Sequence, residues 1–348
     1  MRKAAAACFA LWLSASPGTT AGLDVQAVNE AQFEAGKAAS PAKEPLLLKA
    51  QVLLSRARFS PGEIDGKPGA NFSKALSAFA RDRGLQATDK LNEEVWRELA
   101  KVSTEPPLTE YTIAEADVRG PFAAKIPARL EDMKDLPALS FVSPRELLAE
   151  KFHMSEALLS ALNPGKKLDS AGERIVVVNL AQNLAQAKLE KPARIEVNKT
   201  DQTLQAFGRD GKLLAFYPVT AGSSEKPAPS ERLKVTVIKK NPTYRYNPEY
   251  GFKGVRTRKP FTVKPGPNNP VGAVWIGLSG EGYGLHGTPE PAKVSKSESH
   301  GCIRLTNWDA LELASAITKG TPVDFVGDEQ ERRTARAQAR GSRGRQPR

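Results

Sequence analysis

Gly284-Leu285-His286-Gly287-Thr288 and, a short way on, Ser297-Glu298-Ser299-His300-Gly301-Cys302-Ile303-Arg304-Leu305 hold two of the chain's three histidines and one of its two cysteines. The other cysteine, Cys8, falls in a segment with the pattern of a secretory signal, so an exported chain keeps a single thiol. In an oxidising compartment cysteines usually pair, and a thiol flanked by histidine is a candidate nucleophile. The flanks of this stretch read as regular structure. Ala273 to Leu278 is a buried-strand candidate leading into His286. Thr306-Asn307 can cap a helix from Trp308 to Thr318, with Leu311, Ala314 and Ile317 on one face. Gly320 closes it, and Thr321 to Val326 is a last strand.

Further upstream the texture is also β. Arg194 to Asn198, Thr203 to Phe207, Leu213 to Val219 and Leu233 to Ile238 read as strands, with a hairpin turn at Asp210-Gly211. Asn241 to Lys259 reads as a long loop. The spacing therefore predicts a mainly β domain over 192–327 with a helix packed beside the site.

The chemistry follows from the thiol. Thiolate is the reactive form, and a nearby imidazole can take the proton and then hold the anion. His300 lies two residues before Cys302 and His286 precedes it on a strand or loop that can fold back, so either can serve by distance alone. Gly301 lets the backbone approach a substrate, and adjacent N–H groups there can form an oxyanion hole. Gly287 gives similar freedom beside His286. Zinc is the competing use of two histidines and a cysteine, but a closed site wants four ligands and no fourth is at hand. Arg304, two residues past the nucleophile, suits a substrate carboxylate or a loop brace.

The rest of the chain is arranged in modules. Met1-Arg2-Lys3, an apolar run to Leu13 and Thr19-Thr20-Ala21 make a signal peptide over 1–21. Its apolar run is far short of the roughly 20 residues of a membrane span, so no stable span remains after its removal. Cys8 precedes the end of that run, a poor place for lipoprotein processing. Residues 22–44 read as a linker. Leu47, Leu48, Val52 and Leu53 mark a first helix, Asn71 can cap a second, and Asn92 can cap a third, giving a helical unit over 45–101. The Pro-rich 102–138 reads as an irregular linker. Over 139–180, Ser143-Pro144-Arg145-Glu146 starts the first of two short helices and Arg174 to Val178 is a strand. His153 sits in this unit beside an apolar face and is assigned no chemistry. Gln182 to Lys191 reads as a helical connector, and 328–348 as a disordered Arg-rich tail with too little apolar content to fold. A net charge of +12 suits an anionic setting, with nucleic acid, a membrane surface and acidic cell-wall polymers all compatible, and the lack of any nucleic-acid-reading motif argues against nucleic acid.

Three stretches resemble known families. His286-Gly287-Thr288 with Ser299-His300-Gly301-Cys302-Ile303-Arg304-Leu305, supported by Gly266 to Gly272 and Tyr283-Gly284-Leu285, resembles the YkuD catalytic domain of L,D-transpeptidases. Phe59 to Gly66, with Ala75 to Phe79, Gly84-Leu85 and Val95-Trp96, resembles the three-helix peptidoglycan-binding domain. Glu146-Leu147-Leu148-Ala149 with Leu162-Asn163-Pro164 resembles a LysM module, a family that binds the sugar backbone of peptidoglycan or chitin.

These resemblances imply a multidomain α+β chain. Its mainly β, sandwich-like catalytic domain follows a three-helix module and a small LysM-like module. They imply Cys302 as nucleophile and His286 as base, with His300, Gly301, Ser299, Arg304, Gly287 and Tyr283 as substrate-binding or oxyanion residues and no metal or organic cofactor. Some family members carry asparagine where Arg304 stands, which leaves the role of Arg304 open. The implied reaction is acyl transfer from a peptidoglycan stem tetrapeptide through a Cys302 thioester. D-alanine leaves, and the product is a 3→3 cross-link or a protein, such as a lipoprotein, joined to the wall. The implied setting is the periplasm, in association with the cell wall. An L,D-carboxypeptidase, a non-catalytic peptidoglycan-binding protein and a general cysteine peptidase are the alternatives.

Overall fold

The computed structural model describes residues 23–34, 44–180, 189–223, 227–250, 255–297 and 301–327. The signal peptide, most of the 182–191 connector and the tail lie outside these residues.

The helical unit is built from α2 (Glu44–Arg56), α3 (Ala70–Asp82) and α4 (Glu93–Ala100), preceded by a short α1 (Val25–Glu30). α1 lies in the stretch read as linker; Asp24 caps it by accepting the Gln26 N–H, and Val28 is fully buried. Leu53, Leu76, Phe79, Val95 and Leu99 meet in one core because helical periodicity puts them on facing stripes. Asn92 caps α4 as its spacing predicts. Asn71 does not cap α3; it lies inside that helix, buried, and its Nδ2 donates to the Val294 carbonyl at 3.1 Å. An amide that finds a tertiary acceptor no longer competes for the helix terminus.

The second unit contains β1 (Leu108–Thr112), α5 (Glu115–Val118), α6 (Pro144–Lys151), α7 (Glu156–Leu162) and β2 (Arg174–Val178). β1 and β2 pair antiparallel from Leu108↔Val178 to Thr112↔Arg174. β1 falls within 102–138, so the reading of that whole stretch as irregular linker is corrected. Only Leu108 of the strand is buried, which leaves too weak an alternation to mark it. Ser143 and Ser155 cap α6 and α7.

The remaining domain has β3 (Arg194–Asn198), β4 (Thr203–Phe207), β5 (Leu213–Pro218), β6 (Thr220–Ala221), β7 (Leu233–Lys240), β8 (Tyr244–Tyr246), β9 (Phe261–Val263), β10 (Val274–Leu278), β11 (Gly284–His286), β12 (Ile303–Arg304) and β13 (Pro322–Val326). Among the described residues, nine of these form one sheet in the order β5-β4-β3-β13-β7-β10-β11-β12-β6. Its two edges, β5 and β6, are neighbours in sequence, parted only by the buried Val219. The sheet must therefore curl until it nearly closes, and β7 spans the bend, pairing with β13 at Leu233 and Lys234 and with β10 from Val235 to Lys240. Ile195, Val197, Tyr217, Val235, Ile276 and Leu285 fill its interior. α8 (Asn307–Ala316), capped by Thr306, packs against β10 and β11. The stretch read as a long loop contains β8, which pairs with β9 as a small hairpin whose Tyr246 and Phe261 rings stack at 4.8 Å.

The helical unit is locked onto this sheet. Residues 58–60 lie along edge strand β5: Ser60 N–H donates to the Phe216 carbonyl and Phe216 N–H to the Arg58 carbonyl, both at 2.9 Å. That contact covers backbone groups an open edge leaves unpaired. Phe59 stacks on Phe216 at 6.5 Å. The second unit meets this domain where half-buried His153 stacks on Trp308 with ring centroids 5.1 Å apart. This histidine is a packing residue.

Ser60 also donates to the buried Asp309 carboxyl at 2.8 Å. Burial raises Asp309 from 3.8 to about 8, against the hydrogen bonds from Ser60 and at Thr306. Across that window the folded chain keeps a proton that the unfolded chain releases, so this group's contribution to stability falls as pH rises. Asp309→Asn is expected to gain stability relative to the parent chain between about pH 5 and 8. Thermal unfolding at both ends of that range checks this; curves that stay parallel for the two chains rule it out.

Candidate active site

Side chains alternate along a strand, so Leu285 on β11 enters the core while Gly284 and His286 face the opposite way. His286 stands opposite Trp275 on β10, which stands opposite Lys239 on β7. On its other side the parallel register sets His286 beside Arg304 on β12. One row thus runs Lys239, Trp275, His286, Arg304 across four strands. All four line a cleft of about 600 Å³, which Cys302, Gly301 and Tyr283 also line. The structure therefore brings Cys302, His286, Gly301, Arg304 and Tyr283 together. Ser299 and His300 lie outside the described residues. Gly287 sits behind His286 rather than on the cleft wall.

Glycines set the close approaches. A Cβ at Gly284 meets the Trp275 indole at 2.5 Å, so only glycine lets that ring lie beside His286, with centroids 5.7 Å apart and planes inclined by 23°. Gly301 has φ +94°, in the left-handed region, which turns the chain sharply just before Cys302. The half-buried Cys302 thiol donates to the Gly282 carbonyl at 3.4 Å.

His286 is 4% exposed. Burial, and after it the positive charge of Arg304, lowers its pKa to about 3, while its hydrogen bond to Gly287 opposes that shift. The ring is neutral at ordinary pH. Its Nδ1 lies 2.6 Å from the Gly287 carbonyl oxygen, which can only accept, so Nδ1 carries the proton and Nε2 the basic lone pair. Burial also lowers the Arg304 pKa, and negative charge on Cys302 is the largest effect opposing it. The attraction is mutual, so the guanidinium favours a Cys302 thiolate.

Asn307 supports this site from behind. It is buried at the start of α8, and its Oδ1 accepts the Ala273 N–H at 2.9 Å. The same oxygen lies 2.1 Å from where a Cβ would stand on either Gly272 or Gly287. Its Nδ2 donates to the Pro267 carbonyl at 3.2 Å and to Glu150 Oε1 and Oε2 at 3.0 and 3.2 Å. Glu150 belongs to α6, in the second unit. Burial raises its pKa to about 7, the Asn307 bond opposes this, and Glu146 adds to it. Sequence reasoning took Asn307 only as part of a helix cap and gave Trp275, Lys239 and Glu150 no role. Trp275 and His286 lie on different strands, so only the pairing of those strands shows that they share a face; nothing local in sequence links Glu150 to the site. Among the described residues, no group of three or more His, Cys, Asp or Glu side chains is placed to hold a metal.

Residues 192–325 match the family of the YkuD L,D-transpeptidase catalytic domain. A Bacillus licheniformis relative named as the L,D-transpeptidase YkuD is 31% identical over 183 residues, covering 52% of this chain and 92% of the relative. One of Bacillus subtilis, named as YqjB, is 34% identical over 137 residues, 38% of this chain and 70% of the relative. One of Escherichia coli, named as YbiS, is 29% identical over 194 residues, 53% of this chain and 60% of the relative. The chain belongs to the YkuD family of L,D-transpeptidases, which are acyltransferases.

Proposed function

We propose that this protein is an exported L,D-transpeptidase acting on peptidoglycan stem tetrapeptides in the periplasm. The observation that carries the proposal is a neutral His286, its Nε2 unprotonated, in one cleft with Cys302 and Arg304. Nε2 takes the Cys302 proton, and Arg304 helps hold the thiolate. Sulfur attacks the carbonyl of the L-centre, diaminopimelate, and backbone N–H groups around Gly301 and Cys302 receive the developing oxyanion. The imidazolium returns its proton to the departing D-alanine amine, leaving a thioester. An acceptor amine, deprotonated by His286, then takes the acyl group. With a stem amine the product is a 3→3 cross-link, with a lipoprotein lysine a wall-anchored protein, and with water a carboxypeptidase product. Among the described residues, no helix is long and apolar enough to cross a membrane.

The three-helix unit and the β1–β2 unit are wall-binding modules in this scheme, the second resembling LysM. Both are packed on the catalytic domain, so bound wall is presented in a fixed orientation to the cleft. The test is incubation of the full chain with disaccharide tetrapeptide and pentapeptide. D-alanine release and a thioester-sized mass increase on Cys302 are expected with the tetrapeptide alone. Absence of both, or equal use of the pentapeptide, overturns the proposal.

A further inference from the structure

The cleft is electrostatically uneven. Lys239 enters from β7 and Arg245 from the β8–β9 hairpin, both exposed, while Glu281 lies on the turn that carries Gly282 and Tyr283 beside Cys302. Glu281 and Arg304 are thus at the nucleophile's end, Lys239 stands two strands from His286, and Lys239 and Arg245 are cations of the cleft that the reaction does not use. From these positions we infer that Lys239 and Arg245 form a subsite for a carboxylate of the donor stem, remote from the scissile bond; this rests on the tetrapeptide reading above.

The row geometry sets the reach. Lys239 stands two strands from His286, with Trp275 between them. Strands are spaced by about 4.8 Å, so the two backbones lie about 10 Å apart. Lys239 and Arg245 line the same cleft as Trp275. A carboxylate held there must sit several bonds from the carbonyl that Cys302 attacks. The leaving D-alanine carboxylate is too near, being within one residue of the scissile carbonyl. Two others fit. The distal carboxylate of diaminopimelate and the α-carboxylate of the isoglutamyl residue, six and seven bonds away, extend roughly 7 to 9 Å from that carbonyl by bond lengths. Their chemistry is the same, and a carboxamide at either place removes the charge without changing shape. Trp275 supplies an apolar floor between the reacting and anchoring ends, which lowers water access to the ion pair and strengthens it. The subsite therefore selects stems by charge.

Three tetrapeptide donors separate the sources: unmodified, amidated at the isoglutamyl α-carboxyl, and amidated at the distal diaminopimelyl carboxyl. D-alanine release gives kcat/KM for the full chain and for a Lys239→Met/Arg245→Met double variant. Both side chains are exposed, and thermal unfolding confirms that the variant is folded. The parent chain is expected to lose roughly tenfold on one amidated donor, the size of a charge-assisted contact. The double variant is expected to lose roughly as much on the unmodified donor and to treat all three alike. The donor that is penalised identifies the carboxylate. Equal use of all three donors by the parent chain, or discrimination that survives in the double variant, overturns the subsite. D-alanine release from none of the donors overturns the tetrapeptide reading and the subsite with it.

Discussion

Cys302→Ala is expected to reduce D-alanine release by at least ~10⁴-fold, because no other described group in the cleft can form the thioester. His286→Ala is expected to cost about 10²–10⁴-fold at neutral pH, the range for loss of a positioned general base. The two losses differ in kind. A thiol ionises unaided near pH 8.5, so acylation of Cys302 in the His286 variant is expected to recover as pH rises. In the parent chain His286 stays neutral down to about pH 3, so no imidazole titration near pH 6.5 is expected to limit acylation. Iodoacetamide labelling of Cys302 from about pH 5 to 9 reads both effects. No recovery at high pH in the variant contradicts the assigned base, whereas a step at pH 6.5 in the parent chain that His286→Ala removes contradicts only the neutral state of His286 over that range. His300→Ala supplies the comparison: a larger loss of acylation there than in His286→Ala moves the base to His300.

That His286, Gly301, Cys302 and Arg304 share one cleft was legible in sequence for a chemical reason. His286, Gly301, Cys302 and Arg304 are residue types with narrow uses, close together in a chain with few histidines and cysteines. The strands around them alternate strongly, and β3, β4, β7, β10 and β13 stand within a residue or two of where their patterns place them. What stayed hidden depends on register and closure. Neither the near-closed sheet nor the Lys239–Trp275–His286–Arg304 row can be read from one strand alone, because a row is a property of pairing between strands. β1 and β8 were missed because exposed or very short strands carry little alternation.

The packing of the modules was hidden for a different reason. Separate resemblances at 45–101 and 139–180 suggest beads on a string, with linkers between. The structure instead has Arg56 of α2 buried, donating to the Asn179, Glu105 and Pro106 carbonyls, so the first unit is clamped to both ends of the second. Buried polar groups of this kind need partners, and their partners are distant in sequence. Asp309, Asn71 and Asn307 follow the same pattern: each was read locally or not at all, and each is bonded to another part of the chain.

Asn307 gives the second large effect. Removing its side chain in Asn307→Ala strands the Ala273 N–H and frees the Gly272 and Gly287 backbones that its oxygen touches. Gly287 carries the carbonyl that fixes the His286 tautomer, so the loss reaches the base without touching substrate. A turnover loss of roughly 10–100-fold is expected, the scale of a small displacement of a catalytic group, with about 1–3 kcal/mol lost from stability for a stranded buried donor. A fall in stability alone does not distinguish support of His286 from general packing. Exchanging donor and acceptor does. Asn307→Asp places a carboxylate against Glu150, which loses the amide donor it now receives at 3.0 Å. Adding Glu150→Gln restores an amide–carboxylate pair with the roles reversed, while an oxygen remains available to the Ala273 N–H. The double variant is expected to recover much of the turnover that Asn307→Asp loses, and to recover it in kcat rather than KM, since neither residue lines the cleft. A double variant no better than Asn307→Asp shows that the α6 carboxylate is not coupled to His286. Recovery makes the second unit part of the catalytic apparatus, since the residue that steadies the base is then itself steadied from α6.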